Sequence, residues 1–195
     1  RASRLASIPN TRQRMSNLFI NEPLAMKRID RRLLATLSSQ AAASPRLRAH
    51  HNLHPRLDDN VQRLCIAMEP GTYVRPHRHM QPETWEILLI LSGAVALLIF
   101  DDGGRVLERI ELAAGGEIAT VEIPANTWHS VASLKTGTVV FEVKQGPYAP
   151  ITEANYAPWS PADGAQAESL EDWYHRAQIN SSFLDNRAVR PENRE

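Results

Sequence analysis

Residues 76–87, PHRHMQPETWEI, place two histidines and two glutamates within a dozen positions. In an extended chain, residues two apart point the same way, so His77 and His79 present both imidazoles to one side. A carboxylate from the next strand, Glu83 or Glu86, and a third histidine from a distant strand would complete a mixed nitrogen–oxygen metal site. The stretch PANTWHS supplies that histidine, His129, after a turn opened by Pro124. A ligand set of imidazoles and a carboxylate without sulfur suits one divalent transition metal: Fe, Mn, Ni, Zn or Cu. The single cysteine, Cys65, excludes an intrachain disulfide framework and a cysteine-based zinc cage. It stands in the apolar run VQRLCIAME, where a buried inert thiol is expected.

Other residues could serve such a centre. Tyr73 and Arg75 fall on the His77 face, and the planar fork of Arg75 suits a carboxylate or phosphate. His54, in HHNLHP, could carry protons near neutral pH or close over the pocket. His50 and His51 are adjacent, point apart and take no assigned role. In VVFEVK, Glu142 and Lys144 alternate with Val139, Phe141 and Val143, so their face is either solvent or a polar pocket wall. Tyr148, in GPYAP, is placed to reach over the mouth. The expected proton carriers are therefore Glu83, His54 and Tyr73. The expected substrate contacts are Arg75, Lys144 and Tyr148. Trp85 and Trp128 are expected to pack in the core or at the rim.

These side chains need strands to aim them. From 61 to 144 short apolar runs are punctuated by turn signals roughly every ten residues, among them EPGTY, DDGG, AAGG, PAN and KTG. That rhythm predicts an all-β sandwich or barrel rather than βαβ units. The stretch YVRPHRH is expected as one of the strands. Before it, 27–43 sets Ile29, Leu33, Leu34 and Leu37 at helical spacing with arginines opposite, an amphipathic helix. The following SPRLRAHHNLHP reads as a polar, proline-bounded loop. Beyond Gly146, a short helix in SLEDWYHRAQ gathers Leu170, Trp173, Tyr174 and Ala177 on one side, and the last dozen residues read as disordered.

The chain has 195 residues and a formal net charge of zero. Its charges are uneven: 1–56 holds 11 of the 22 basic residues and two acids, and the tail from Glu153 holds eight acids against four arginines. Both ends are expected as solvated arms. The first twenty residues, with four arginines, three serines and no acid, resemble an organelle transit peptide but lack an amphipathic repeat. The organisation predicted is a disordered extension at 1–25, a helix and loop at 26–57, the barrel at 58–148 and a C-terminal arm at 149–195. ILLILSGAVALLIF is broken by Ser92-Gly93, so it reads as two strands and no membrane span is expected. The barrel carries no basic–aromatic repeat, which argues against nucleic acid. The expected setting is the cytoplasm, as a homodimer, since exposed edge strands need cover.

The spacing resembles the two cupin motifs. Gly71, five residues, His77-x-His79, then Glu86, six residues and Gly93 follow the first; PANTWH, with Pro124 and His129, is similar to the second. The resemblance implies a mainly β fold, a single cupin (jelly roll, double-stranded β-helix barrel) carrying the two flanking helices. It also implies a metal held by His77, His79, Glu86 and His129. Three departures stand out. Three residues after His79 lead to Glu83 and six to Glu86, Asn126 replaces a usual glycine, and Ser133 replaces a usual asparagine. Glu86 is the preferred ligand because it opens the regular run EILLIL, whereas Glu83 follows Pro82 in a connection. Across 26–165 the chain resembles the WbuC-type cupin-fold metalloproteins, including the pair Trp85-Glu86. That family is often encoded near surface-polysaccharide genes.

Three functions follow from the resemblance. One is a metal-dependent isomerase or epimerase acting on a small polar or anionic substrate such as a sugar or sugar nucleotide. Another is an Fe or Ni dioxygenase. The third is a non-catalytic module that binds metal and ligand. A cupin fold by itself does not choose among them.

Overall fold

The structure, a computed structural model, describes residues 26–81 and 84–187. The N-terminal extension 1–25, the glutamate Glu83 and the last eight residues lie outside the described residues.

The first helix, α1 (Arg31–Ala43), starts where Asp30 accepts a 2.9 Å hydrogen bond from the Leu33 amide. It stops at Ser44, whose extended backbone precedes Pro45. Eight strands follow: β1 (Arg48–Asn52), β2 (Val61–Met68), β3 (Glu86–Ser92), β4 (Ala94–Phe100), β5 (Val106–Ala113), β6 (Thr120–Ile123), β7 (Trp128–Ser133) and β8 (Thr138–Gln145). A 3₁₀ turn at Glu153–Asn155 leads to α2 (Gly164–Tyr174) and α3 (Phe183–Arg187). The strands form two antiparallel sheets, a five-stranded one in the order β1-β2-β8-β3-β6 and a three-stranded one in the order β5-β4-β7. The result is a mainly β fold of two antiparallel sheets packed face to face.

Period-two alternation explains the layers. Cys65 and Ala67 of β2 and Val139 and Phe141 of β8 turn outward and pack under Leu33, Leu34, Leu37 and Ala41 of α1. The inner faces meet through Met68, Leu88, Ile90 and Val140 on one sheet and Val95, Leu97, Leu112 and Val131 on the other. The outer face of the three-stranded sheet, with Leu98, Phe100 and Trp128, is covered by Leu170, Trp173, Tyr174 and Ala177. Each fully buried Leu, Ile, Val, Met or Phe among them contributes roughly 1.5–3 kcal/mol relative to exposure. Gly93 carries the chain from one sheet to the other at φ +72°, where a Cβ would fall 2.3 Å from Thr138 Oγ1. Only glycine fits there. Among the described residues no helix is long and apolar enough to cross a membrane.

Several elements differ from expectation. The segment expected as a polar loop contains β1, paired in register with β2 from Arg48↔Met68 to Asn52↔Leu64. The expected strand at 73–79 is extended but joins its neighbours only through single bridges from His77 to His129 and to Tyr156. Pro76 withholds an amide donor there, and ladder pairing stops. The C-terminal helix begins at Gly164, five residues before the expected start, with Ala167 buried on its first turns. The expected disordered end is helical as far as Arg187, because Phe183 is buried and packs 5.9 Å from the Trp173 ring.

Candidate metal centre

The 74–79 segment is clamped from both sides. His77 N donates to His129 O at 3.0 Å, and His129 N donates back to His77 O at 2.9 Å. Ser130 Oγ and Tyr174 Oη both donate to Val74 O, at 2.7 and 3.2 Å. On the other flank Arg78 N donates to Asn155 O and Ala157 N to Pro76 O, each at 2.9 Å. Asn126 N donates to His79 O at 2.8 Å from a left-handed residue, φ +62°, so asparagine serves where the motif usually has glycine. Ser133, in place of the usual asparagine, is buried and donates to Met68 O at 2.8 Å.

This frame brings His77, His79, Glu86 and His129 together. One ligand-type atom from each lies within 4.8 Å of all the others. His77 comes from the clamped segment, Glu86 opens β3 and His129 sits second on β7, so three separate chain segments meet. The imidazoles of His77 and His129 stand 4.4 Å apart between centroids. Each donates its Nδ1 proton to the carbonyl two residues earlier, His77 to Arg75 O at 2.9 Å and His129 to Thr127 O at 2.8 Å. A carbonyl only accepts, so the Nε2 lone pair of each ring is left for a ligand, the arrangement that orients metal-binding histidines.

The electrostatics agree. Burial opposes charge on Glu86, yet the neighbouring His129 and His79 hold its carboxyl well below the usual range. Burial opposes protonation of His129, and the Glu86 carboxylate outweighs it and raises the ring. Burial and the His129 charge push His77 down to about 3, so it is a neutral donor. Glu86 Oε1 approaches His129 Nε2 at 2.6 Å and Glu86 Oε2 lies 3.6 Å from His79 Nε2. Even so, Glu86 Oε1 and His79 Nε2 are buried without a well-formed hydrogen bond. Orphaned buried polar atoms cost roughly 1–3 kcal/mol each. A divalent cation would satisfy them together, so the residues present fit a metal.

The cluster opens into a cavity of about 1050 Å³. Its wall is the inner face of the five-stranded sheet. Lys144 of β8 sits directly across from Glu86 of β3, and Glu142 across from Leu88. Lys144 Nζ pairs with Glu142 Oε1 at 2.7 Å. The face carrying Glu142 and Lys144 is therefore the polar pocket wall and not solvent.

The other sequence candidates fall in different places. Arg75 lines the cavity, but its guanidinium is engaged with Ser160 Oγ and Glu153 and lies 4.4 Å over the Tyr156 ring. Tyr73 also lines it, yet its hydroxyl donates to Pro161 O at 2.7 Å and burial raises its pKa. It anchors the C-terminal arm. Tyr148 is at the cavity edge and largely exposed. His54 is buried in the wall, with Nδ1 3.0 Å from both Arg63 N and Arg63 O and Nε2 without a hydrogen-bond partner. Trp128 packs at the rim, its Nε1 donating to Asp102 and its ring 4.2 Å under Arg78. Glu83 lies outside the described residues. Sequence reasoning missed Arg48 and His50, which line the cavity from β1. The signal was present as a polar period-two pattern, Arg48, His50, Asn52.

Residues 29–112 match a family described as a domain of unknown function (DUF6016). No curated protein matches the chain. Among solved structures it is similar to KdgF from Halomonas sp., at 18% identity over 54% of this chain and 84% of that one, TM-score 0.42. It is also similar to a cupin superfamily protein from Desulfitobacterium hafniense, at 17% identity over 50% and 76%, TM-score 0.40. An oxalate oxidase in complex with the substrate analogue glycolate matches at 21% identity over 56% of each chain, TM-score 0.43. The described chain is a mainly β fold of two antiparallel sheets with a His/Glu cluster able to hold a metal.

Proposed function

We propose that this chain is a metal-dependent enzyme that turns over a small polar substrate in the cavity beside His77, His79, Glu86 and His129. The observation that carries the reading is the convergence of four ligand atoms within 4.8 Å, with two of the histidines oriented by carbonyl bonds at Nδ1. A metal held there would act as a Lewis acid on a substrate carbonyl or hydroxyl, or, as iron or nickel, support dioxygen chemistry. The residues of the chain would do the rest. Glu142 and Lys144, ion-paired beside Glu86, form an acid–base pair on the wall, and His54 offers an unpartnered ring nitrogen from the same wall. These parts suit proton shuttling at carbon, that is, isomerisation or epimerisation. The sugar or sugar-nucleotide substrate and the link to surface polysaccharide rest on the WbuC-type resemblance. We also read the protein as a homodimer; in its support, β1 and β6 are the terminal strands of the five-stranded sheet, and edge strands need cover.

Elemental analysis of protein purified without chelator tests the reading, with about one transition metal per chain expected. A substoichiometric yield of every transition metal after reconstitution would overturn it. Incubating the loaded protein with a panel of sugars in D₂O then separates the chemistries. Deuterium entering a carbon-bound position marks the isomerase or epimerase. Oxygen consumption that disappears anaerobically, with iron restored, marks the dioxygenase. Ligand binding without either marks the non-catalytic module.

A further inference from the structure

The cations of the cavity are not equivalent. Arg75 is neutralised by Glu153 at 3.1 Å and Lys144 by Glu142 at 2.7 Å. Arg48 has no such partner. It projects from β1 into the same cavity and is mostly buried, and its Nε is buried without a hydrogen bond. Among the described residues no carboxylate comes within ion-pair distance of it. A mostly buried guanidinium without a partner is costly, and folds rarely keep one without a use. Its surroundings make the local field more positive. Burial and the Arg46 charge lower Arg48 to about 10, with Tyr156 and Glu142 only partly offsetting them. Burial, Arg48, Arg46 and Lys144 together push His50 down. The remaining acids of the lining, Asp163 and Glu168, stand exposed at the start of α2.

We infer that Arg48 is the anion anchor of the cavity, and that the substrate is a small hydroxylated carboxylic acid held by its carboxylate on Arg48 and by an oxygen at the metal cluster. The inference rests on the metal reading above for its second contact. One free guanidinium offers two parallel N–H donors, which match a planar monoanionic carboxylate. A phosphate dianion would meet a single uncompensated buried cation in a cavity that also holds Glu86 and Glu142. Arg75 and Lys144, the cations the sequence put forward for substrate contact, already have their charge matched by Glu153 and Glu142.

Isothermal titration with D-gluconate, D-glucitol and glucose 6-phosphate tests the assignment, in metal-loaded and metal-free protein. Gluconate and glucitol differ in the carboxylate. Gluconate is expected to bind about tenfold or more tighter than glucitol, and Arg48→Gln is expected to remove that preference. Arg75→Gln should leave most of it. Arg48→Gln should also melt no lower than wild type, because it removes an unpartnered buried charge. Absence of gluconate binding in the loaded wild type would overturn the inference, as would an unchanged preference in Arg48→Gln or an Arg48-dependent preference for glucose 6-phosphate over gluconate. A lowered melt with gluconate affinity retained would make Arg48 structural and also overturn it. The two readings fail separately. Protein that takes no metal but keeps an Arg48-dependent gluconate preference retains the anchor and loses the metal centre. Protein that takes metal and ignores Arg48 does the reverse.

Discussion

The inner faces of the two sheets do opposite work. On the three-stranded sheet, Val95, Leu97, Leu112 and Val131 face inward and are buried, and His129 is the member of the candidate metal cluster beside them. On the five-stranded sheet, Met68, Leu88, Ile90 and Val140 share the face with Arg48, His50, Gln62, Glu86, Glu142 and Lys144. One face is mostly apolar, and the other gives up part of its apolar contact to polar side chains that line the cavity. Polar groups at inward positions of a strand cost stability unless they are paired or used. Their concentration on one sheet therefore marks where the cavity is.

The sharpest way to break this comparison is to empty the metal cluster. Glu86→Gln and His129→Ala should each drop metal content from about one per chain to near zero, with the far-ultraviolet circular dichroism unchanged. If Glu83→Gln empties the site and Glu86→Gln does not, the carboxylate ligand is Glu83. Next comes the contrast between the faces themselves. Leu97→Ala, at a fully buried position, should cost ~2–5 kcal/mol in urea unfolding. Replacing Glu142 and Lys144 together by leucine should cost less than ~1 kcal/mol or stabilise, while abolishing turnover. Equal losses in the two experiments would erase the distinction between a stabilising face and a functional one.

Smaller effects come from the layers outside the sheets. Asp30→Ala removes the hydrogen bond to the Leu33 amide and should cost ~1 kcal/mol by the same unfolding measurement. Cys65, fully buried under α1, should resist a thiol reagent at neutral pH until the protein unfolds. Burial raises its pKa, so the folded state keeps the thiol proton longer than the unfolded chain. The stability linked to this group is fully present below the unfolded thiol pKa and is lost as pH rises toward the folded value. Labelling as fast as that of the denatured chain would show that α1 does not cover β2.

Most of the strands were legible. Apolar alternation and turn residues announced β2 through β8 because each buries at least one face, and burial writes a period of two into the sequence. The strand β1 was not legible. Its inward residues are Arg48, His50 and Asn52, and a strand that lines a polar cavity carries no apolar signal on that side. The start of α2 was hidden for a related reason, since Ala167 is a small buried residue that adds little to hydrophobic periodicity. In the site, the paired histidines, the proline-led His129 and the choice of Glu86 over Glu83 could all be argued from spacing and strand direction. The cluster that the fold assembles contains Glu86.

By itself, then, the sequence determined the class of fold and the residue types of the candidate metal centre. Both are local consequences of periodicity, turn chemistry and motif spacing. Tertiary structure decided which charges are available. Arg75 and Lys144 were expected as substrate contacts, and each meets a carboxylate, Glu153 from 78 residues further along and Glu142 from two residues before. Arg48 looked like a loop residue and stands in the cavity without a partner. For Arg75 and Arg48, charge compensation depends on distances between distant segments, and no one-dimensional pattern encodes those distances.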